Sequence, residues 1–265
     1  MMIKVVKRWK TECRDKGWQA KLQLFGAAIV MAVAALLYAA PQTSAAVGVS
    51  DGKPVAEWHF DDGKGTTALN SADNGSNGQL RLMDTAACWV DGRKGKALLF
   101  NGVNGYVNCG NSPVVNITDE ISVEMWFYPK AYVTGRAAFP LSKWQGIAGN
   151  CNYCMHFFGD ASSSYDYKRI CFLGNAGGKW CRLSPAVIIP ALDTWYHIVW
   201  TYSSADGGKL YINEALQGSV SVTGALAVNT GDLLLGGPGF NGILDEVRIY
   251  HRVLSDAEVS RHYKE

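Results

Sequence analysis

From residue 55 onward the chain is a succession of short runs in which apolar and polar residues alternate, punctuated by glycine and asparagine. VAEWHF (55–60), ALLF (97–100), YVNC (106–109), ISVEMWFYP (121–129), TWYHIVWTYSS (194–204), KLYIN (209–213) and LLLGG (233–237) are rich in β-branched and aromatic residues, which fit a pleated, half-buried surface. NGILDEVRIY (241–250) reads the same way but carries two adjacent carboxylates, Asp245 and Glu246. A helical signal stands only at SDAEVSRHY (255–263), where Ser255 and Glu258 form an S-x-x-E capping box. The pattern predicts an all-β domain of many short strands closed by one short C-terminal helix, and the 29 glycines of the chain suit the tight turns this requires. In VAEWHF, Trp58 faces the same way as Ala56 and Phe60. The two Asn-Gly pairs of NGVNG (101–105) supply the positive φ that a hairpin between ALLF and YVNC demands. The stretch 144–184 reads as irregular.

The first 46 residues do not belong to this pattern. A basic segment precedes the uncharged apolar run Phe25 to Ala40 and then the small residues PQTSAA, the order of an export signal. Ser44 and Ala46 satisfy a small-x-small cleavage rule, so the mature chain is expected to start near Val47, outside the cytoplasm. The rival reading keeps the segment uncleaved as a membrane anchor, which would be the chain's one membrane contact. Seven of the chain's 25 Lys/Arg and two of its 23 Asp/Glu lie in residues 1–46, leaving 18 basic and 21 acidic residues in the mature part. The basicity of the whole chain thus belongs to the leader, and no clustered positive face marks the rest for nucleic acid. The remaining residues, 47–265, suit one large β domain with no internal boundary.

Six cysteines remain when Cys13 leaves with the leader: Cys88, Cys109, Cys151, Cys154, Cys171 and Cys181. An even count in an exported chain favours disulfides over a zinc site, since the second half of the C-x2-C, C-x9-C spacing lacks a close pair. A hairpin centred near 162 and 163 would set Cys154 opposite Cys171, and one centred on Ala176 would set Cys171 opposite Cys181. The connectivity stays open, with Cys88 and Cys109 as the remaining pair.

Successive strand residues point to opposite faces, so Asp245 and Glu246 cannot flank one bond together. Asp245 shares a face with Ile243, Val247 and Ile249 and is expected to point to the core; Glu246 is expected toward solvent beside Arg248. A core-facing carboxylate needs backbone donors, a cation or a metal. Structural hydrogen bonding and Ca²⁺ ligation are the two main readings of Asp245, and Asp61, Asp62, Asp73 and their Asn-rich loop offer further oxygen ligands. Glu120 and Glu124 share a face, but four strand residues at about 3.3 Å each place them roughly 13 Å apart. That exceeds the 5 to 9.5 Å, roughly, of glycosidase carboxylate pairs. GPGFNG (237–242) and GVSDG (48–52) match nucleotide and nucleophile motifs without the helix that either needs. The histidines His59, His156, His197, His251 and His262 are dispersed, with no H-E-x-x-H pair. Trp144, Tyr153, His156, Tyr165, Tyr167 and Trp180 crowd the cysteine-rich middle. They mark either a ligand-binding surface or the packing of a small subregion.

The order WHFDDGKGTTALNSADNGSNGQL, GRKGKALLFNGVNGYV, ISVEMWFYP, TWYHIVWTY, KLYIN and FNGILDEVRIYHRVLSDAEV resembles the laminin-G-like jelly-roll domain of the concanavalin A-like lectin and glucanase superfamily over residues 55–263. The resemblance implies a two-sheet antiparallel jelly roll that binds a ligand without transforming it, often with a structural calcium. It carries calcium ligation onto Asp61, Asn77 and Asp245. Asn70 stands where relatives carry Asp, and Glu214 stands where a glycine would complete the turn after KLYIN, so a different turn is expected there. Together the readings describe an exported, non-catalytic module whose partner is a glycan or polysaccharide at the cell surface or outside the cell. The alternative is a protein-binding adhesion module. A glycan-cleaving enzyme would need two carboxylates on one concave face.

Overall fold

The computed structural model describes residues 52–132, 136–145, 150–158, 169–183 and 191–265. The expected leader at 1–46 lies outside them, as do Tyr165 and Tyr167. Among the described residues no helix is long and apolar enough to cross a membrane. Among the described residues sixteen strands follow one another: β1 (Ala56–Trp58), β2 (Thr67–Ala68), β3 (Gly78–Arg81), β4 (Trp89–Asp91), β5 (Lys96–Asn101), β6 (Tyr106–Asn108), β7 (Glu120–Ala131) and β8 (Ala137–Trp144) in the first half. The second half holds β9 (Cys151–Phe158), β10 (Cys171–Ala176), β11 (Lys179–Leu183), β12 (Tyr196–Ser203), β13 (Gly207–Ile212), β14 (Ala215–Val220), β15 (Leu233–Gly236) and β16 (Asn241–Tyr250), then helix α1 (Asp256–Lys264).

The strands form two antiparallel sheets of eight. The first runs β14-β13-β12-β7-β16-β5-β4, with β1 beside the second half of β16; the other runs β11-β10-β9-β8-β15-β6-β3-β2. Alternation decides which side chains meet between them. From the first sheet come Ile121, Val123, Met125 and Phe127 of β7 and Ile198, Trp200 and Tyr202 of β12; from the second come Tyr153, Met155 and Phe157 of β9 and Phe172 of β10. Phe172 stacks on Trp200 across the sandwich, ring centres 5.3 Å apart, and Phe127 meets Phe157 edge-on at 5.7 Å. This is the expected all-β jelly-roll sandwich with one short C-terminal helix.

Three local expectations change. β5 and β6 do not pair with each other, because they belong to different sheets; the NGVNG segment, with Gly102 at φ 77°, carries the chain across the sandwich instead. The described residues of the stretch 144–184 are largely regular strand: β9, β10 and β11 form an antiparallel ladder, with Gly177 and Gly178 at the turn between β10 and β11. The turn after KLYIN keeps the two-residue pattern with positive φ at both centres, Asn213 at 50° and Glu214 at 62°, despite the missing glycine. Side-chain contacts hold it there: Asn213 Oδ1 accepts the His197 amide at 2.8 Å, and Glu214 accepts Ser260 Oγ at 2.6 Å from α1.

Helix α1 lies on the outer face of the first sheet, where Val259 packs with Val199, Tyr211, Tyr250 and Leu254. Its capping box forms as the sequence predicts: Glu258 N donates to Ser255 Oγ at 3.3 Å and Ser255 N to Glu258 Oε2 at 2.9 Å. Arg252 grips both oxygens of Glu258 at 2.8 and 3.0 Å and draws its pKa down to about 2. Ser255→Ala is expected to cost about 1 kcal/mol, read as a lower urea midpoint. An unchanged midpoint would mean that the cap adds nothing to the apolar docking of Val259.

Candidate functional site

The aromatic and cysteine residues of the middle separate by strand face. Tyr153 points inward, fully buried, and donates its hydroxyl to the Val115 carbonyl at 3.0 Å, so it offers no ring to a ligand. His156 is also buried and packs 6.0 Å from Phe139, which in turn lies 5.7 Å from half-buried Trp144. Trp180 is different: on β11, at the edge of the second sheet, it is 43% exposed and sits across from Asn175 of β10. Arg182 follows on the same face of β11, two residues along.

All six cysteines are buried, each as a thiol. The observed registers place Cys154 opposite Leu173, Cys171 opposite His156 and Cys181 opposite Gly174, so neither pairing through Cys171 stands across a ladder. Both hairpins are shifted from the expected centres. Cys181 joins the sandwich core, as do Cys88 and Cys109, whereas the Cys154 thiol hydrogen-bonds with that of Cys151 and, with burial added, stays protonated well above the usual thiol range. No three His, Cys, Asp or Glu side chains stand together as a metal-holding group among the described residues.

Asp245 is fully buried but not in the sandwich core. β16 gains one residue against β7 between Asp245, opposite Trp126, and Arg248, opposite Glu124; Glu246 takes φ 50° at this bulge. The extra residue reverses the alternation, so Leu244, Val247 and Ile249 all enter the core while Asp245 turns to the outer face. There the turn Gly92–Lys96 covers it: Lys94 N donates to Asp245 Oδ2 at 2.9 Å. The carboxylate also lies against Gly92, where a β-carbon would collide with it, so glycine is needed at this close approach. Asp245 Oδ1 is buried with no hydrogen-bond partner. Burial without a cation pushes the Asp245 pKa up to about 7.

Asp61 addresses the same turn from the other side, accepting Lys96 N at 2.7 Å, and Gly95 leaves room for its carboxylate. Asn77 sits in a neighbouring loop, where its Oδ1 accepts Asn70 N at 2.9 Å. Asn70 ties that loop further, accepting the amides of Glu57 and Ala72. The unpartnered Asp245 oxygen is of the hard oxygen type that a divalent cation takes, and Asp61 holds the far end of the same turn. Asn77 serves its own loop.

The largest polar constellation was not singled out as one by sequence reasoning. On the outer face of the first sheet, beneath α1, Glu124 of β7 is buried with His197 Nε2 at 2.8 Å, His262 Nδ1 at 3.0 Å and the Tyr250 hydroxyl at 3.1 Å. Arg248 links it to Glu57 at 2.6 Å and to Glu246, whose other oxygen meets His59 Nδ1 at 2.8 Å. Glu246 therefore pairs with Arg248 as expected, but it is buried and not solvated. Burial works against the Glu124 charge, yet the hydrogen bonds from His197 and His262 outweigh it and hold its pKa well below the usual range. The His59 pKa is raised, chiefly by its bond to Glu246. Glu120 shares the face of Glu124 as the alternation requires, but it is exposed while Glu124 is sealed in.

Residues 101–260, more than half of the chain, match a laminin-G family model described as the concanavalin A-like lectin/glucanases superfamily. The chain belongs to that family. Among solved structures, it resembles domain 4 of the extracellular arabinanase AbnA of Geobacillus stearothermophilus, determined with arabinotriose. That match has a TM-score of 0.58 and 20% identity, over 79% of this chain and 97% of that one. The binding domain of Paraclostridial Mosquitocidal Protein 1 gives 0.61 and 17% identity over 80% of this chain but only 52% of its own length. A sialidase of Trypanosoma rangeli gives 0.56 and 17% identity over 79% of this chain and 32% of that one. No curated protein matches in sequence.

Proposed function

We propose that this protein is an exported, non-catalytic carbohydrate-binding module acting at the cell surface or outside the cell. The observation that carries the reading is Trp180, a large aromatic ring left 43% exposed on an edge strand with the amide of Asn175 across from it and Arg182 beside it. An indole face stacks on the C–H face of a sugar ring, and neighbouring amide and guanidinium groups take its hydroxyls. The resemblance to an arabinanase domain seen with arabinotriose supports the same ligand class. The strands of the second sheet carry no Asp or Glu at all, which supports binding over glycoside cleavage on that face.

A structural calcium at Asp245 and Asp61 belongs to the same proposal. When bound it would supply the positive charge that the buried Asp245 carboxylate lacks, and it would pin the Gly92–Lys96 turn to the outer face. A protein-binding adhesion role is the second reading, favoured by the likeness to the mosquitocidal binding domain and to the receptor binding domain of botulinum neurotoxin D.

Residues 47–265, oxidised and reduced, are to be tested against a polysaccharide panel containing arabinan. Saturable binding is expected, and Trp180→Ala should weaken it by at least about tenfold, the equivalent of losing one stacked ring. Because Trp180 is exposed, the variant should keep the parent melting curve. A folded protein that binds no glycan would defeat the carbohydrate reading and leave the adhesion module.

A further inference from the structure

The outer face of the first sheet holds a second feature, away from Trp180 and from the Asp245 turn. Where the starts of β7 and β13 meet the ends of β12 and β14, a cleft of about 480 Å³ opens, within the usual size of small-ligand sites. Glu120 and Asp206 stand in its wall, and Thr201, Ser203 and Ser219 add hydroxyls. Gly207, in the left-handed region at φ 86°, lies so near the Val220 carbonyl that no β-carbon fits there, which keeps the cleft clear. Exposed Val253, on the connection to α1, supplies an apolar patch at the margin.

The charge of this cleft is unbalanced. Among the described residues neither Glu120 nor Asp206 has a cation at ion-pair distance, while the lining lysine, Lys209, is turned to Asp256 at 3.7 Å. Thr201 is 98% buried, only 2% of it exposed, yet its hydroxyl makes no hydrogen bond within the described protein while lining the cleft. The hydroxyl is not one of the sealed, unpartnered polar atoms, so it opens onto the cleft, where a ligand or water takes it. Ser203 is better served, accepting the Ala205 amide at 3.2 Å and meeting Asp206 Oδ2 at 3.4 Å.

We propose that this cleft binds an amino sugar, with the ligand's ammonium between Glu120 and Asp206 and its ring hydroxyls on Thr201, Ser203 and Ser219. Carboxylates without a fixed cation select a positively charged group, because a charge-assisted hydrogen bond is roughly twice as strong as a neutral one. The hydroxyl row suits a polyol, and Val253 suits the C–H face of a ring. The site is independent of the Trp180 reading, since it lies on the other sheet.

The test is calorimetry with a glucosamine oligosaccharide and its N-acetylated counterpart, at mildly acidic pH where the free amine is protonated. The glucosamine oligomer is expected to bind at least about tenfold more tightly than the acetylated one and to weaken as salt is raised. The pair Glu120→Gln and Asp206→Asn should abolish that preference and its salt dependence, Thr201→Val should weaken binding several-fold, and Trp180→Ala should leave it unchanged. Both carboxylates are exposed, so the substituted proteins should retain the parent melting curve. Equal binding of the two oligomers, no binding by the folded protein, or a preference that survives the double substitution would overturn the proposal. Loss of the preference in Trp180→Ala alone would move amino-sugar binding to the second sheet.

Discussion

Glu124→Ala is expected to destabilise the domain by about 3 to 5 kcal/mol, the range for breaking a buried charge network by removing one partner. Glu124 is the common acceptor of His197, His262 and Tyr250, and Arg248 Nη1 lies 3.7 Å from it. Its loss takes the acceptor from His197, His262 and Tyr250 beneath and on α1, while Arg248 keeps Glu57 and Glu246. His262 belongs to the helix and His197 to β12, so the change should loosen the helix as well as the sheet. Glu124→Gln, which keeps the shape and one acceptor oxygen, should cost less, about 1 to 3 kcal/mol. Because the folded pKa of Glu124 is depressed, its stabilisation is fully present above the unfolded carboxylate value of about 4.3 and fades as pH falls through the folded value. Urea unfolding at neutral and acidic pH tests this: the gap between parent and Glu124→Ala should narrow in acid. A gap below about 1 kcal/mol at pH 7 would show that the network contributes nothing net.

This network explains where reading the sequence stopped short. Alternation is a one-strand rule: it put Ala56, Trp58 and Phe60 on one face, which the structure buries, and Glu120 and Glu124 on one face, while the capping box marked the helix. The polar partners of Glu124 come from β12, β16 and α1, up to 138 residues away, and only the strand order brings them together. A signal was present nonetheless: Glu124 and His197 are ionisable residues set between apolar neighbours in VEMWF and YHIVW, which implies a cover and a partner. Strand order also decided the fate of NGVNG, whose asparagines and glycines specify a turn but not whether the chain returns to its own sheet. The bulge at Glu246 defeated alternation outright, because one inserted residue sends every following side chain to the other face. The same limit applies to the cysteines, since a shift of either hairpin centre moves a thiol away from its expected partner.

Asp245→Asn should make the metal-free protein more stable at neutral and alkaline pH, by roughly 2 to 4 kcal/mol, and change little near pH 4. The sign follows from linkage. The folded pKa of about 7 lies above the unfolded value of about 3.9, so the native state binds the extra proton between them. Ionising the buried carboxylate opposes folding, and the Asp245 contribution therefore worsens as pH rises from about 4 to 7 and is fully adverse above that. Asparagine removes the charge while its amide oxygen can still accept Lys94 N–H, so the Gly92–Lys96 turn keeps its anchor. The calcium proposed at Asp245 and Asp61 would reverse the balance by turning the adverse charge into a ligand. The parent should then gain stability with added calcium in proportion to its logarithm, and Asp245→Asn should lose that gain. Thermal unfolding from pH 4 to 8, in EDTA and in calcium, separates the two effects. If parent and variant have parallel pH profiles in EDTA, Asp245 is not a buried titrating acid; if calcium leaves the parent unmoved, the outer-face carboxylates hold the turn without a metal.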